Sequence, residues 1–442
     1  MGVRVPLPAP FKKMTLRFLA GCLFVRSFLS IVPMAQAASL TWTDCIQETA
    51  RKNPDLHAAK ASLKSAEYQT KGAVSGFLPQ VSGSLNYNYG NNSSSSSSFS
   101  STTSSGSRSS FYSTSLTATE NLFSGFQDKA KIKQGKANEE ASRANLNAVK
   151  SKVSFDLKSA FASLLYAQGS LKLAQEIIHR REENLNLIQL RYENGRENKG
   201  SLLLSKAYLQ QAKYDALQAK NNMQIAQEQL AKVLGNDEPR DIHVVGNLPI
   251  QNPPDIENIK ELTPLTPDYQ QAVAQKKSAK ASLTTARSPF FPSLAVTGTM
   301  GKQGTDWFPN SSRWSVGGSL TWPFFSGGKD YYATKSASAN LQATVLNEES
   351  VGRQTRTKLE QGLTGFTEAV EKLKTDQSFL EASVVREEIG HNRYENGLLS
   401  FEDWDIIEND LIARQKQALQ SQRDRIISEA NWEQAQGKGV LQ

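Results

Sequence analysis

From Phe126 to Leu190 the chain contains no proline, and its apolar residues step by three and four: Leu146, Val149, Val153, Leu157, Ala160, Leu164, Ala167, Leu171, Ala174 and Ile178. That spacing is the seam of a helix packed along its length, with alanines small enough to let a neighbour approach closely. Roughly 65 residues at about 1.5 Å each make a helix of roughly 97 Å, longer than a compact domain needs. A second proline-free stretch, Gly328 to Asn392, is equally long and has a more polar seam. The chain is therefore read as one elongated repeat structure that never builds a single round core.

Both stretches end on the pentapeptide Arg-Tyr-Glu-Asn-Gly, at Arg191–Gly195 and Arg393–Gly397. Leu122-Phe123-Ser124-Gly125 and Phe324-Phe325-Ser326-Gly327 stand at one common distance ahead of the two copies. Asn53-Pro54-Asp55 pairs likewise with Thr266-Pro267-Asp268, and Phe77-Leu78-Pro79 with Phe290-Phe291-Pro292, at a slightly larger offset. These landmarks indicate an internal duplication with one insertion between Pro79 and Leu122. The first repeat is assigned to 38–235, a linker rich in proline to 236–266, and the second repeat to 267–442. The linker carries a short β-like run, Ile242–Val245, and is expected to pack on the outside of the helices.

Within the first repeat, Thr41 and Asp44 form a capping-box pattern that opens a short helix ending near Lys52. Asn53 then caps a second helix, with Pro54 where its missing N–H costs nothing, running to about Gly76. A strand hairpin is predicted over 78–121, since apolar and polar residues alternate on both sides of the serine-rich stretch Asn91–Ser110. The long helix follows at 126–190, and a return helix at 202–234. Stacked end to end, Pro54–Gly76 and Leu202–Leu234 nearly match the long helix in length. The second repeat offers a hairpin over 292–325, with strands Leu294–Met300 and Trp314–Phe324. Its loop holds Asp306, Trp307 and Pro309. A long helix over 328–392 and a return helix over 401–436 follow. Asn194-Gly195 and Asn396-Gly397 suit left-handed backbone at tight turns.

Residues 1–37 read as a secretory signal peptide. Lys12, Lys13 and Arg17 precede an apolar stretch from Phe18 to Val32, and Ala35-Gln36-Ala37 supplies the cleavage pattern. The residues before Met14 do not fit a charged n-region, which leaves Met14 open as the start. Leu19-Ala20-Gly21-Cys22 resembles a lipoprotein box, with Cys22 as the alternative acylation site. Cleavage after Ala37 leaves Cys45 alone, so no internal disulfide forms. The formal charge is +8, but five cations (Arg4, Lys12, Lys13, Arg17, Arg26) precede Ala38 with no acid among them. The remainder is close to neutral and makes no case for nucleic acid. His57, His179, His243 and His391 lack metal-ligand spacing. No nucleotide fingerprint or nucleophile with a recognisable base is found, so neither an enzyme nor a cofactor is expected.

After the signal, no apolar run of about 18 residues could span a membrane as a helix. The strands, about 9–12 residues each, have the length of tilted outer-membrane strands. Four strands cannot close a barrel, because membrane barrels begin at about eight and lipid does not tolerate open edges. Several chains must then pool their strands.

In order and spacing, the Asn-Pro-Asp-Leu opening at Asn53–Leu56, the Phe-x-Pro strand entries at Pro79 and Pro292, the Phe-Ser-Gly exits and the Arg-Tyr-x-x-Gly tips resemble the TolC-like outer-membrane efflux proteins. The resemblance covers nearly all of the mature chain. It implies an α+β membrane protein, a homotrimer whose long α-helical barrel is continuous with a twelve-stranded transmembrane β-barrel. It further implies a passive duct, serving efflux or type I secretion, with a periplasmic adaptor and an inner-membrane pump as partners. Adaptors would grip the turns Tyr192–Gly200 and Tyr394–Ser400, which contain Tyr192, Gly195, Gly200, Tyr394, Gly397, Leu398 and Ser400. Aspartates past the second turn would constrict the pore. The first matches Asp403, whereas the second falls on Ile406, beside Asp405, and Leu399 stands where some members carry an arginine. Glu402, Asp403 and Asp405 are equally read as acids favoured at a helix N-terminus. The alternative for the whole chain is a secreted or periplasmic trimeric coiled-coil structural protein, with the serine-rich stretch as a linker.

Overall fold

The computed structural model describes residues 38–91, 108–236, 242–246, 248–255 and 258–441. The expected signal peptide, Met14, Cys22 and most of the serine-rich stretch lie outside the described residues. A three-residue strand β1 (Ala38–Leu40) leads into helices α1 (Trp42–Lys52) and α2 (Pro54–Gly72). Strands β2 (Gln80–Asn91) and β3 (Arg108–Ser124) come next, then α3 (Gln127–Glu193) and α4 (Lys199–Leu234). After β4 (Ile242–Val244), the order of helix, two strands and two helices recurs. It runs α5 (Pro267–Arg287), β5 (Ser293–Gly304), β6 (Ser311–Thr321), α6 (Lys329–Glu395) and α7 (Phe401–Ala435). Among the described residues, no helix is long and apolar enough to cross a membrane.

Local chemistry sets the boundaries. The Thr41 hydroxyl accepts from the Asp44 amide, and the Asp44 carboxylate accepts from the Thr41 amide at 3.1 Å, so α1 opens on a reciprocal cap. Asn53 ends α1, caps α2 through its side chain, and has Pro54 at the first helical position. The helix expected to reach Gly76 stops at Gly72 and passes into a 3₁₀ segment, Ala73–Phe77, because Gly72 and Gly76 weaken helix propagation. β6 ends at Thr321 rather than Phe324. Pro323 lacks the N–H that the ladder needs.

α3 and α6 each span 67 residues, or about 100 Å at the usual rise. α4 lies against one end of α3, and α2 against the other. The two short helices abut where Asn53 Nδ2 donates to the Val233 carbonyl at 2.9 Å. There, a Cβ on Gly235 would come within 2.6 Å of the Lys52 carbonyl oxygen. α7 and α5 meet in the same way against α6: a Cβ on Gly437 would sit 2.0 Å from Pro267 Cδ. Each long helix is thus flanked by a pair of shorter ones in line.

Where α1, α3 and α4 converge, Trp42, Cys45, Leu157, Phe161, Leu164, Leu230 and Leu234 form the largest buried cluster. Trp42 packs edge-on against Phe161, with centroids 5.3 Å apart. Burial holds the Cys45 thiol up at about 12, with Glu48 and Asp44 adding to the shift, so it behaves as an inert core residue. The seam of α3 drifts. Val153, Leu157, Ala160 and Leu164 are buried, but further along Leu173 and Ile177 replace Leu171 and Ile178. Part of the linker adds β4 in parallel to β1 at the level of this core, and Gln168 of α3 accepts from the Val244 amide at 3.4 Å.

Candidate functional site

β2, β3, β5 and β6 form one antiparallel sheet in that order, and β2 and β6 each leave one edge unpaired among the described residues. The register sorts most side chains by polarity, with Glu120 and Lys302 on the apolar face and Phe111 and Arg313 on the polar one as exceptions. One face carries Val81, Leu85, Leu116, Met300, Trp314, Val316 and Leu320, all exposed; Leu85 is 83% and Trp314 79% accessible. The other carries serine, threonine, asparagine and glutamine, with hydroxyl pairs such as Ser84 to Ser115 at 2.8 Å and Thr117 to Thr299 at 3.4 Å. Such apolar exposure suits contact with hydrocarbon, and the opposite face suits water.

Below the sheet, Trp322, Phe324 and Phe325 are exposed at 50%, 84% and 87%. Phe126 packs edge-on between Phe123 and Phe291. The Phe-Ser-Gly exits work through left-handed backbone. Gly125 and Phe126 have φ of 61° and 69°, and Gly327 and Gly328 have φ of 64° and 85°. A Cβ on Gly125 would meet the Ser288 carbonyl oxygen at 2.4 Å, so only glycine fits that corner.

At the far ends of the long helices, the two pentapeptides form the same turn. The Arg196 amide reaches the Arg191 carbonyl at 2.8 Å and the Gly195 amide reaches Tyr192 at 3.0 Å. Leu398 to Arg393 at 2.8 Å and Gly397 to Tyr394 at 2.9 Å repeat the pattern. These are Schellman closures, with glycine left-handed at φ 70° and 72°. Asn194 and Asn396 each donate from Nδ2 at 2.7 Å to the carbonyl, of Leu190 and of Asn392, that also accepts their own backbone amide. A Cβ on Gly195 would meet nothing within 4 Å, so this turn stands open, unlike those at Gly235 and Gly437.

One residue ties the two turns together. Tyr394, 1% exposed, stacks on Trp404 at 4.4 Å and 5°, and the Arg191 guanidinium covers its ring at 4.4 Å. Arg191 also donates to the Tyr394 carbonyl at 2.5 Å, and the Tyr394 hydroxyl donates to Glu197 at 3.1 Å. Burial, then the Glu197 charge, raises the phenol well above its ordinary value, keeping it protonated as a donor. Ile188, Leu202 and Phe401 complete the cluster.

Of the residues singled out from sequence, Tyr192, Gly195, Gly397 and Leu398 lie exposed on the turns. Tyr394 is buried beneath them. Gly200 sits in the first turn of α4, because Asn198 caps that helix at 2.9 Å to the Ser201 amide, earlier than the expected start at Leu202. Ser400 caps α7: its Oγ accepts from the Asp403 amide at 3.1 Å and donates to the Asp403 carboxylate at 2.8 Å. Asp403 is exposed. Two residues on, Asp405 faces inward, accepting from the Tyr208 hydroxyl at 2.8 Å with Arg181 at 3.7 Å. The two aspartates therefore occupy different faces of α7 and different chemistry.

Sequence inspection did not single out the polar node behind the turns. Arg181, 6% exposed, donates to Asn409 at 2.6 Å and lies over the Tyr208 ring at 4.8 Å. Burial pulls its guanidinium below its ordinary value, opposed by Glu408 and Asp405. Glu408 is 2% exposed, with Arg180 at 3.8 Å. Glu387 of α6 is raised by burial and then by Glu408. The available signal was polar residues at seam spacing: Ile177, Arg181, Asn184 and Ile188 are all buried on one stripe.

The profile of the family described as outer membrane efflux protein matches residues 45–236 and 259–438. The chain belongs to that family. Its sequence is 22% identical over 405 residues to the probable outer membrane lipoprotein SilC of Salmonella typhimurium, covering 90% of this chain and 86% of that protein. The fold is similar to the crystal structure of CusC, with a TM-score of 0.80 at 18% identity and 90% and 92% of the two chains covered. The Campylobacter jejuni CmeC outer membrane channel gives 0.79 at 18% identity, covering 89% and 85%. The protein is an outer-membrane channel component of an efflux system, and members of its family are channel proteins rather than enzymes.

Proposed function

We propose that three copies of this chain pool their sheets into a twelve-stranded barrel, with the paired helices continuing as a twelve-helix tube through the periplasm. The observation that carries this is the open, two-faced sheet with both edges unpaired among the described residues. Lipid leaves no donor or acceptor unmatched, so these edges must meet edges of other copies. Three is the number implied by the TolC-like resemblance, and with two stretches of long helix and two flanking pairs per chain it accounts for both barrels. The recurring order of elements supports the duplication read from the sequence.

The duct is passive. An inner-membrane pump and a periplasmic adaptor supply energy and cargo, and the adaptor grips the exposed turns at Tyr192, Gly195, Gly397 and Leu398. Relatives are named as a cation efflux system protein and as a toluene efflux pump outer membrane protein, consistent with a duct that leaves cargo choice to its partners. Asp403 is the residue we assign to the constriction, where a ring of carboxylates would repel one another and favour cations. The engagement of Asp405 by Tyr208 and Arg181 supports an anchoring part for it instead.

Single-channel conductance of detergent-purified protein in a planar bilayer tests this. Low, cation-selective conductance that rises in Asp403→Ala is the expected result. Conductance unchanged by the substitution moves the gate elsewhere. No conductance from a membrane-inserted oligomer removes the duct and favours a structural coiled-coil protein.

A further inference from the structure

The helix ends that adjoin the sheet carry a one-sided charge. Lys129, Lys133 and Lys136 occupy the first turns of α3, and Lys71 the last turn of α2. Lys280 and Arg287 lie near the end of α5, and Lys329 and Lys335 at the start of α6. All are exposed, and none has a carboxylate partner among the described residues. Asp128 and Asp330, the acids beside them, are engaged by the hydroxyls of Ser124 and Ser326 in the exit corners. One turn further from the sheet, Glu67 and Glu139 face Arg143 and Glu140 pairs with Lys277, while Glu120 lies on the sheet's apolar face.

Depth sets the kind of partner. Gln127 to Lys136 covers about 14 Å along the helix. A headgroup layer is about 5–7 Å thick, and charges act across about 8 Å more at physiological salt. The collar therefore falls within reach of the membrane surface and extends no further. Its lysines are interleaved with exposed aromatic rings: Lys71 lies 5.6 Å from the ring centre of Tyr68, 58% exposed, and Lys335 5.6 Å from that of Tyr331, 54% exposed. Tyrosine beside lysine is interfacial chemistry, with the ring in the headgroup boundary and the ammonium among phosphates. A water-filled lumen would leave these rings, and Phe324 and Phe325, uncovered.

We propose that these cations form a collar that holds anionic phospholipid headgroups in the leaflet bordering the helices. This rests on the sheet being the part embedded in the bilayer. A cation near an anionic surface contributes about fivefold in association, so one lipid facing one lysine should be preferred about fivefold over its zwitterionic counterpart.

The test compares spin-labelled phosphatidylglycerol with spin-labelled phosphatidylcholine around the oligomer, reconstituted in phosphatidylcholine vesicles. Wild type should show the preference at about 50 mM salt and lose most of it at about 0.5 M, where screening shortens toward 4 Å. A variant replacing all eight collar cations, Lys71, Lys129, Lys133, Lys136, Lys280, Arg287, Lys329 and Lys335, by glutamine should lose it at both. Immobilised lipid of both kinds without preference overturns the collar and leaves the membrane barrel standing. No immobilised lipid of either kind removes both. A preference retained in the variant, with a shifted reversal potential in conductance, places the lysines in the lumen and overturns the proposal.

Discussion

Replacing Tyr394 by alanine removes a side chain that is 1% exposed and lies between the Trp404 ring and the Arg191 guanidinium, each 4.4 Å away. Truncation of a buried aromatic costs about 3–5 kcal/mol, including the cavity. The parallel stack and the cation over the ring make the upper part of that range the better figure. The loss is local, because the cluster closes the two turns and is separate from the core around Phe161. Hydrogen exchange on the detergent-solubilised oligomer reads it directly. Peptides covering 191–200 and 396–404 should lose about 100-fold or more in protection, while strand peptides keep theirs. Tyr394→Phe removes only the hydrogen bond to the partly exposed Glu197, worth about 1 kcal/mol, so about fivefold is expected. Equal and small effects from the two substitutions would refute the idea that this ring joins the turns.

The Glu387 carboxyl, raised above 4.5 by burial and by Glu408, contributes stability that is complete below its unfolded value and lost as pH rises through its folded value. Glu387→Gln should therefore melt above wild type at pH 7, and the difference should vanish on approaching pH 4.5, as followed by circular dichroism; the opposite trend excludes the raised carboxyl. Lys158, 3% exposed, neutralises Glu429 at 2.8 Å and Glu433 at 3.0 Å. Lys158→Met should cost about 3–5 kcal/mol in urea unfolding, and adding Glu429→Leu should restore part of it. Gly397→Ala should cost only the left-handed strain of about 1–2 kcal/mol, since its Cβ would meet nothing nearer than the Arg191 side chain at 3.6 Å. Gly437→Ala adds a clash with Pro267 Cδ at 2.0 Å and should lower the melting temperature further; equal melting temperatures would contradict the end-to-end packing of α7 and α5.

What the sequence determined by itself was local. Thr41 with Asp44, Asn53 before Pro54, and the two Asn-Gly pairs specify caps and turns through contacts within a few residues, so they act before any distant partner is chosen. The proline-free stretches carry their helices for the same reason, and the alternation of residue types gives each of the four long strands a mainly apolar and a mainly polar face. The tertiary structure decided which groups face one another. Strands of three residues, β1 and β4, are too short to show alternation, and their pairing depends on the α1 and α3 core beside them. Asp403 and Asp405 read alike as acids at a helix start. Only α3 and α4, packed on one side of α7, bring Arg181 and Tyr208 to the second aspartate and leave the first in solvent. The buried charges of Arg181, Glu408 and Glu429 break the apolar seam in sequence. They are accommodated because oppositely charged residues on neighbouring helices, hundreds of residues away along the chain, occupy the same level, and no local pattern encodes that level.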